Sequence, residues 1–433
     1  MKLTPLYYVY KALDGVYRKG AFSSIELNKY IGNARKEDKA LICRLFYGVL
    51  ERDIESDYLI NAYVVKVKPA VRTLLKIGIY EIKYMDIPDF AAVNECVKLA
   101  GDIGKPQIKG FVNAVLRRIS EALSSGSVKY PTDEFERMSI EYSFPLWAVK
   151  RLISEMGKEK AEAFMSYRPD FESVNIRVNT RRISVKDFEK LLSEKCVGFR
   201  KTPVEGVYRI SSDGLSFAER GYCSIMGMGS VLACRCVKLP EGASVFDACA
   251  APGGKSVYLA EMLEGEVTAC ELYPHRAELI RKYAEKAGVK VNVEVGDASV
   301  FEERYKEKFD FVLCDVPCSG YGVVFSKPDI KLNRKEGAVE ELARLQYGIL
   351  KNCAEYVKEG GVLVYSTCTV FDRENGDQIR DFLASDQRFR RIGVMLPEEF
   401  SGSIDEYGQA FLFPGEGAEE GFFIAAMEKL REK

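Results

Sequence analysis

The sequence predicts a multidomain chain: an all-α amino-terminal domain, a small α+β middle module, and a carboxy-terminal α/β domain built on a parallel sheet covered on both faces. Three observations carry this expectation. From Pro5 to about Glu121 apolar residues recur at three- and four-residue steps; Ser124-Ser125-Gly126-Ser127 then interrupts the pattern before Pro131; and after Pro240 short apolar runs of strand character alternate with helical stretches. The expected domains are 1–126, 131–239 and 240–433.

In the first domain Leu41, Leu45, Phe46 and Val49, and again Phe111, Val112, Val115, Leu116 and Ile119, have the spacing of one buried helix face. The whole chain has a formal net charge of -1, yet residues 1–125 hold 20 Lys and Arg against 14 Asp and Glu. That excess makes the first domain the better surface for a polyanion. The middle module combines a helical stretch, Leu146 to Phe164, with Ser173-Val174-Asn175-Ile176-Arg177-Val178, whose alternation reads as a strand. In the third domain the apolar runs are Ser244 to Phe246, Glu266 to Cys270, Val291 to Val295, Phe309 to Leu313 and Gly361 to Val364, and their alternation with helices implies βαβ units.

A chain of 433 residues, 47% hydrophobic and 29% charged, can bury a large core. Its twelve cysteines, with no charged-then-apolar leader over residues 1–15, fit a reducing cytoplasm better than secretion with a disulfide framework. No apolar run approaches the roughly 20 residues that span a bilayer. With one histidine, His275, and Cys234-Arg235-Cys236 as the close cysteine pair, no metal-ligand spacing is found and no metal is expected.

After the strand at Val245-Phe246 comes Asp247-Ala248-Cys249-Ala250-Ala251-Pro252-Gly253-Gly254-Lys255-Ser256, a glycine turn leading into a helix. Glycine lets backbone approach a ligand closely, and a helix amino terminus favours a polar or anionic group, so a nucleotide-like ligand is expected. Cys249 stands where a phosphate loop needs glycine, and no Gly-x-Gly-x-x-Gly passes through Gly253 and Gly254, so neither ATP nor NAD is signalled. Glu271 ends the next strand, at a position where an acid in such sheets holds ribose hydroxyls, and Asp297 ends the strand after that. Two thiols follow: Cys318 in Asp315-Val316-Pro317-Cys318-Ser319-Gly320 and Cys368 in Tyr365-Ser366-Thr367-Cys368-Thr369. Each lies just beyond a strand, at the carboxyl edge where open sheets bind ligands, so both can reach one substrate.

These residues resemble the Rossmann-like S-adenosyl-L-methionine-dependent methyltransferases, specifically the NOL1/NOP2/Sun group of RNA 5-methylcytosine enzymes that includes the bacterial RsmB (Sun/Fmu) type. The resemblance covers most of the chain. It implies that Cys249, Ala250, Ala251, Pro252, Gly253, Gly254 and Lys255 hold the methionine part of the cofactor, that Glu271 and Asp297 hold ribose and adenine with Arg276 at the same edge, and that Asp315 serves both cofactor and base. It further implies that Cys368 attacks carbon 6 of cytosine while Cys318 assists release. The chemistry is coherent, because carbon 5 of cytosine is a poor nucleophile until a thiolate adds at carbon 6. Glu374-Asn375 and Gly421-Phe422-Phe423-Ile424-Ala425 are further matches, the Phe pair being expected in a core strand.

The amino-terminal region resembles the NusB domain through Asp38-Lys39-Ala40-Leu41, Ala91-Ala92-Val93-Asn94-Glu95 and Lys109-Gly110-Phe111-Val112-Asn113-Ala114-Val115-Leu116-Arg117-Arg118. A NusB-like domain ahead of the catalytic domain implies 16S rRNA, unassembled or in a partly assembled small subunit, as substrate. Lys327 and Lys331, and Arg177 and Arg181 in a module resembling RNA-recognition segments, are candidates to contact RNA phosphates. Two alternatives stay open at this point: a tRNA enzyme of the same chemistry, and a non-catalytic RNA-binding assembly factor.

Overall fold

The structure is a computed structural model and describes residues 4–169 and 173–431. The chain divides into two compact units. One contains the described residues up to Ser166 together with Val324–Glu336; the other contains Tyr167–Val323 and the chain from Gly337 onward. The helices between residues 134 and 166, assigned from sequence to the middle module, therefore group with the first unit.

The first unit is helical. Pro5–Lys19 opens it for local reasons: the Thr4 hydroxyl accepts from the Tyr7 N–H at 3.3 Å, Pro5 takes the first helical position, and Gly20 ends the helix in a left-handed conformation. Lys39–Glu51, Pro69–Tyr84, Asp89–Asp102 and Lys109–Ser124 follow, and their apolar faces meet in one core that includes Leu13, Leu45, Phe46, Leu74, Ile77, Val112 and Leu116. Leu41 and Phe111 share the helical spacing but sit at the surface. Segment 324–336 is anchored in this unit. Ser23 donates its hydroxyl to Asp329 at 2.5 Å, and Phe325 meets the rings of Phe144 and Phe164. The expectation for Lys331 is corrected here. The side chain is buried, its Nζ donating to the Glu51 carbonyl at 2.8 Å and lying 4.5 Å from the centre of the Phe144 ring, so it does not offer its charge to RNA. Lys327 is exposed.

The second unit holds two sheets. The smaller is antiparallel, in the order β2-β3-β1-β4, from β1 (Ser173–Val178), β2 (Phe199–Lys201), β3 (Val207–Ser211) and β4 (Cys223–Ile225). Helix Val185–Glu194, capped by Ser184, lays Phe188 and Leu192 on it. Arg177 of β1 is corrected as well. It is 1% exposed and forms a forked pair with Glu261, which leaves it nothing to present to a nucleic acid. Arg181 remains partly exposed while bonding the Glu261 carbonyl at 3.1 Å and Glu264 at 2.8 Å.

The larger sheet comprises β5 (Val245–Asp247), β6 (Val267–Glu271), β7 (Asn292–Val295), β8 (Phe309–Asp315), β9 (Val357–Thr367), β10 (Phe389–Ile392), β11 (Ala410–Leu412) and β12 (Phe422–Lys429). Its order is β10-β12-β9-β8-β5-β6-β7, with β11 beside β12. The run from β9 to β7 is parallel, as expected. The sheet as a whole is mixed, because β12 returns antiparallel to β9 and pairs antiparallel with β10 and β11. Alternate residues feed two cores. Val245, Phe311, Leu313, Val364 and Ile424 line one face, while Phe246, Val312, Leu363, Tyr365 and Phe423 line the other. Strand order reverses at β5, which is the switch point where such sheets bind ligands.

Candidate active site

The turn after β5 is held across its two neighbours. The Ala248 N–H donates to the Leu313 carbonyl of β8 at 2.9 Å, and the Ala250 N–H to the Cys270 carbonyl of β6 at 3.0 Å. Gly253 has φ +108°, a conformation that favours glycine, and a Cβ there would crowd the Ile280 backbone at 3.1 Å. Helix Gly254–Met262 starts directly behind it.

Acids rim this turn. Asp247 is buried. Its Oδ2 accepts from the Ser256 hydroxyl at 2.6 Å, its Oδ1 has no protein partner, and burial pushes its pKa up to about 6. Glu271, also buried, accepts from the Tyr273 N–H at 3.1 Å and pairs with Arg276 at 3.4 Å. Arg276 reaches back to the Ala251 carbonyl at 3.2 Å, linking helix Pro274–Ala287 to the turn. Asp297 is exposed and accepts from the Ser299 N–H and hydroxyl at 2.9 and 2.7 Å, while the adjacent Gly296 N–H donates to the Glu271 carbonyl at 3.1 Å. A glycine cradle, an orphaned carboxylate oxygen and acids beyond two successive strands fit a ligand carrying an amino group and ribose hydroxyls.

The thiols are brought together. Cys318 Sγ lies 3.1 Å from Cys368 Sγ, and both side chains are half-buried. The contact with Cys368, then burial, pushes the Cys318 thiol well up. Asp315 sits at the end of β8 opposite Ser366 of β9, whose hydroxyl donates to its Oδ1 at 2.8 Å; Lys255 holds the other oxygen at 2.7 Å. Burial alone would lower the Lys255 ammonium, but attraction to Asp315 more than offsets this and raises it. Cys314, one residue earlier, faces the opposite core, and Cys96, Cys270 and Cys353 are buried too, while Cys43 is half-buried.

Several residues that shape the site were given no role from sequence, Glu374 among them although it lies in a matching motif. Ser366 lies inside the second cysteine motif, and pairing of β8 with β9 is what reveals its partner. Glu374 and Gln346 are buried around the two cysteine turns, Gln346 arriving from helix Gly337–Ala354, far from either motif. Among the described residues no cluster of three His, Cys, Asp or Glu could hold a metal ion, and no helix is long and apolar enough to cross a membrane.

Comparison with known proteins follows the division of the chain. Residues 235–428 match the family model for 16S rRNA methyltransferase RsmB/F, and residues 5–121 match the NusB family. The probable ribosomal RNA small subunit methyltransferase B of Bacillus subtilis (strain 168) is 33% identical, with 97% of each chain covered. Among solved structures, PH0851 shares the fold with a TM-score of 0.84 at 24% identity, covering 99% of this chain and 100% of that one. NSun6 from Pyrococcus horikoshii, solved with the S-adenosylmethionine analogue SFG, has a TM-score of 0.59 at 21% identity over 67% of this chain and 100% of its own.

Proposed function

The chain belongs to the 16S rRNA methyltransferase RsmB/F family, and from that premise we propose that it methylates carbon 5 of one cytosine in 16S rRNA through a covalent bond between Cys368 and carbon 6. The observation that carries this reading is the 3.1 Å approach of Cys318 and Cys368 beyond two adjacent parallel strands, with Asp315 on the first of them. A lone buried cysteine is usually inert, whereas two half-buried thiols beside a carboxylate can add to a ring and help resolve the adduct.

S-adenosyl-L-methionine, when bound, supplies an electrophilic methyl group. The turn Cys249–Lys255 and Asp247 would hold its amino acid end; Glu271, Arg276 and Asp297 would hold ribose and adenine. The remaining steps belong to the protein. Cys368 releases its thiol proton to solvent and attacks carbon 6 as the thiolate, and Asp315, carrying a proton in the complex with the base, donates it to the ring nitrogen, so that electron density moves to carbon 5. Lys255 and Ser366 fix Asp315 for this task. Once carbon 5 carries the methyl group, Cys318, having released its own thiol proton to solvent, takes the carbon-5 proton as the thiolate. The electron pair of that C–H bond restores the ring double bond as the Cys368 sulfur leaves and Asp315 recovers its proton. Lys327, exposed beyond the first cysteine motif, would contact RNA phosphate.

Purified protein, labelled cofactor and either free 16S rRNA or small-subunit particles test the proposal. One labelled cytosine, mapped as 5-methylcytosine, is the expected result. Labelling confined to tRNA would overturn the substrate, and failure to label any RNA would return the non-catalytic binding factor.

A further inference from the structure

We propose that Glu374 is a positioning residue for this reaction: its carboxylate clamps the two cysteine turns together and thereby sets Cys318 at the distance from Cys368 that release of the product requires. The inference rests on the covalent reading above and deepens it.

Turns beyond strand ends are mobile unless something holds them. Here the residue after each thiol is held by one carboxylate. Ser319 follows Cys318 and donates its N–H to Glu374 at 2.8 Å and its hydroxyl at 2.5 Å; Thr369 follows Cys368 and donates its hydroxyl at 3.2 Å. Ser319 Oγ and Thr369 Oγ1 also lie 2.6 Å apart. Gln346 adds a donor to Glu374 at 2.9 Å while bonding the Pro317 carbonyl, just before Cys318, at 3.0 Å. The neighbouring Asn375 completes the grip on the second turn, accepting from the Thr367 hydroxyl at 2.5 Å and donating to the Thr369 carbonyl at 3.1 Å. Glu374 and Asn375 thus hold residues on both sides of Cys368, while Glu374 and Gln346 hold the residues on either side of Cys318.

The choice of a carboxylate is informative. Glu374 is fully buried, and the donors that meet it are hydroxyls, a backbone N–H and an amide, none of them a cation. Burial accordingly raises its pKa. A buried charge without a counterion is expensive, so a site that keeps one needs acceptors that a neutral side chain cannot supply. Two oxygens, each able to accept from more than one donor, answer that need; a glutamine would face one set of donors with its own N–H groups.

Glu374→Gln, which preserves volume, is the test, with Cys318→Ala run beside it. Glu374→Gln should still fold, with a lowered melting temperature, and its affinity for S-adenosylmethionine should stay close to wild type. The covalent protein–RNA adduct should accumulate and decay about tenfold more slowly or worse, the effect of losing a charge-assisted hydrogen bond, with kcat reduced and KM for RNA unchanged. Should Glu374→Gln not fold, Ser319→Ala and Thr369→Val each remove one hydroxyl from the clamp and should slow adduct decay several-fold. A folded variant that releases product at the wild-type rate, while Cys318→Ala traps the adduct, overturns the clamp alone. Absence of an adduct in Cys318→Ala overturns the covalent reading and the clamp with it.

Discussion

Cys318 Sγ and Cys368 Sγ are 3.1 Å apart although 50 residues separate them in the chain. Parallel pairing of β8 with β9 achieves this by ending both strands at one edge. The proposed division of labour makes the two alanine variants behave oppositely. Cys318→Ala should form an adduct with 16S rRNA that survives denaturing electrophoresis, because attack proceeds and release does not. Cys368→Ala should form none and should lose methylation to background. An adduct in Cys368→Ala would reverse the assignment.

Asp315 is held at both oxygens, by Lys255 and by Ser366. Hydrogen bonds to a charged group contribute about 1.5–3 kcal/mol, so Lys255→Met should lower single-turnover methylation by about tenfold to a hundredfold. Ser366→Ala, which removes a neutral donor, should fall by less. Equal losses in the two variants would mean that the Lys255 charge has no special part in orienting Asp315.

The strands that end at the site were legible because parallel strands covered on both faces are written as near-continuous apolar runs, such as Phe309 to Leu313 with Asp310 as its single polar interruption. The thiols followed from their positions beyond those runs. Partnership across the fold was not legible. Arg177 alternates with apolar neighbours on β1 and looks like a strand's solvent-facing cation, but the residue that neutralises it, Glu261, lies 84 positions away on the helix behind the glycine turn. Lys331 sits in a basic segment whose burial depends on Phe144 and on the Glu51 carbonyl, neither adjacent in sequence. The antiparallel edge made by β12 was missed for a related reason: Phe422-Phe423 reads as a core strand, but apolar content does not encode direction.

Glu81, buried in the helical unit near Cys96, predicts a pH dependence of stability. Burial raises its carboxyl to about 8, with the Cys96 contact opposing and Glu95 assisting. A raised acid binds its proton more tightly in the folded state. Its contribution is therefore complete below the unfolded value of 4.5 and is lost as pH rises through about 8. Wild-type stability should decline across that window, and Glu81→Gln should be flatter. The difference between the two at pH 9 should be roughly 2–5 kcal/mol by the usual conversion of pKa shifts. Asp247, raised to about 6, contributes in the same direction in both proteins, so only the difference is diagnostic. Parallel pH profiles for the two proteins would place Glu81 in contact with water.

Arg177 and Lys327 should separate when RNA affinity is measured against salt. Arg177 is sealed against Glu261, with Tyr258 4.3 Å beneath its guanidinium, and so makes no phosphate contact. Arg177→Leu leaves Glu261 buried and uncompensated, which typically costs about 3–5 kcal/mol; the loss should appear in denaturant unfolding and be largely relieved in the double variant with Glu261→Leu. The salt dependence of RNA binding by the fraction that remains folded should match wild type. Lys327→Ala should do the converse, leaving unfolding unchanged while reducing the slope of log affinity against log salt by about 0.7, the release of one counterion from single-stranded RNA. A reduced slope in Arg177→Leu would mean that the arginine leaves Glu261 when RNA binds, and that its burial describes only the protein without its substrate.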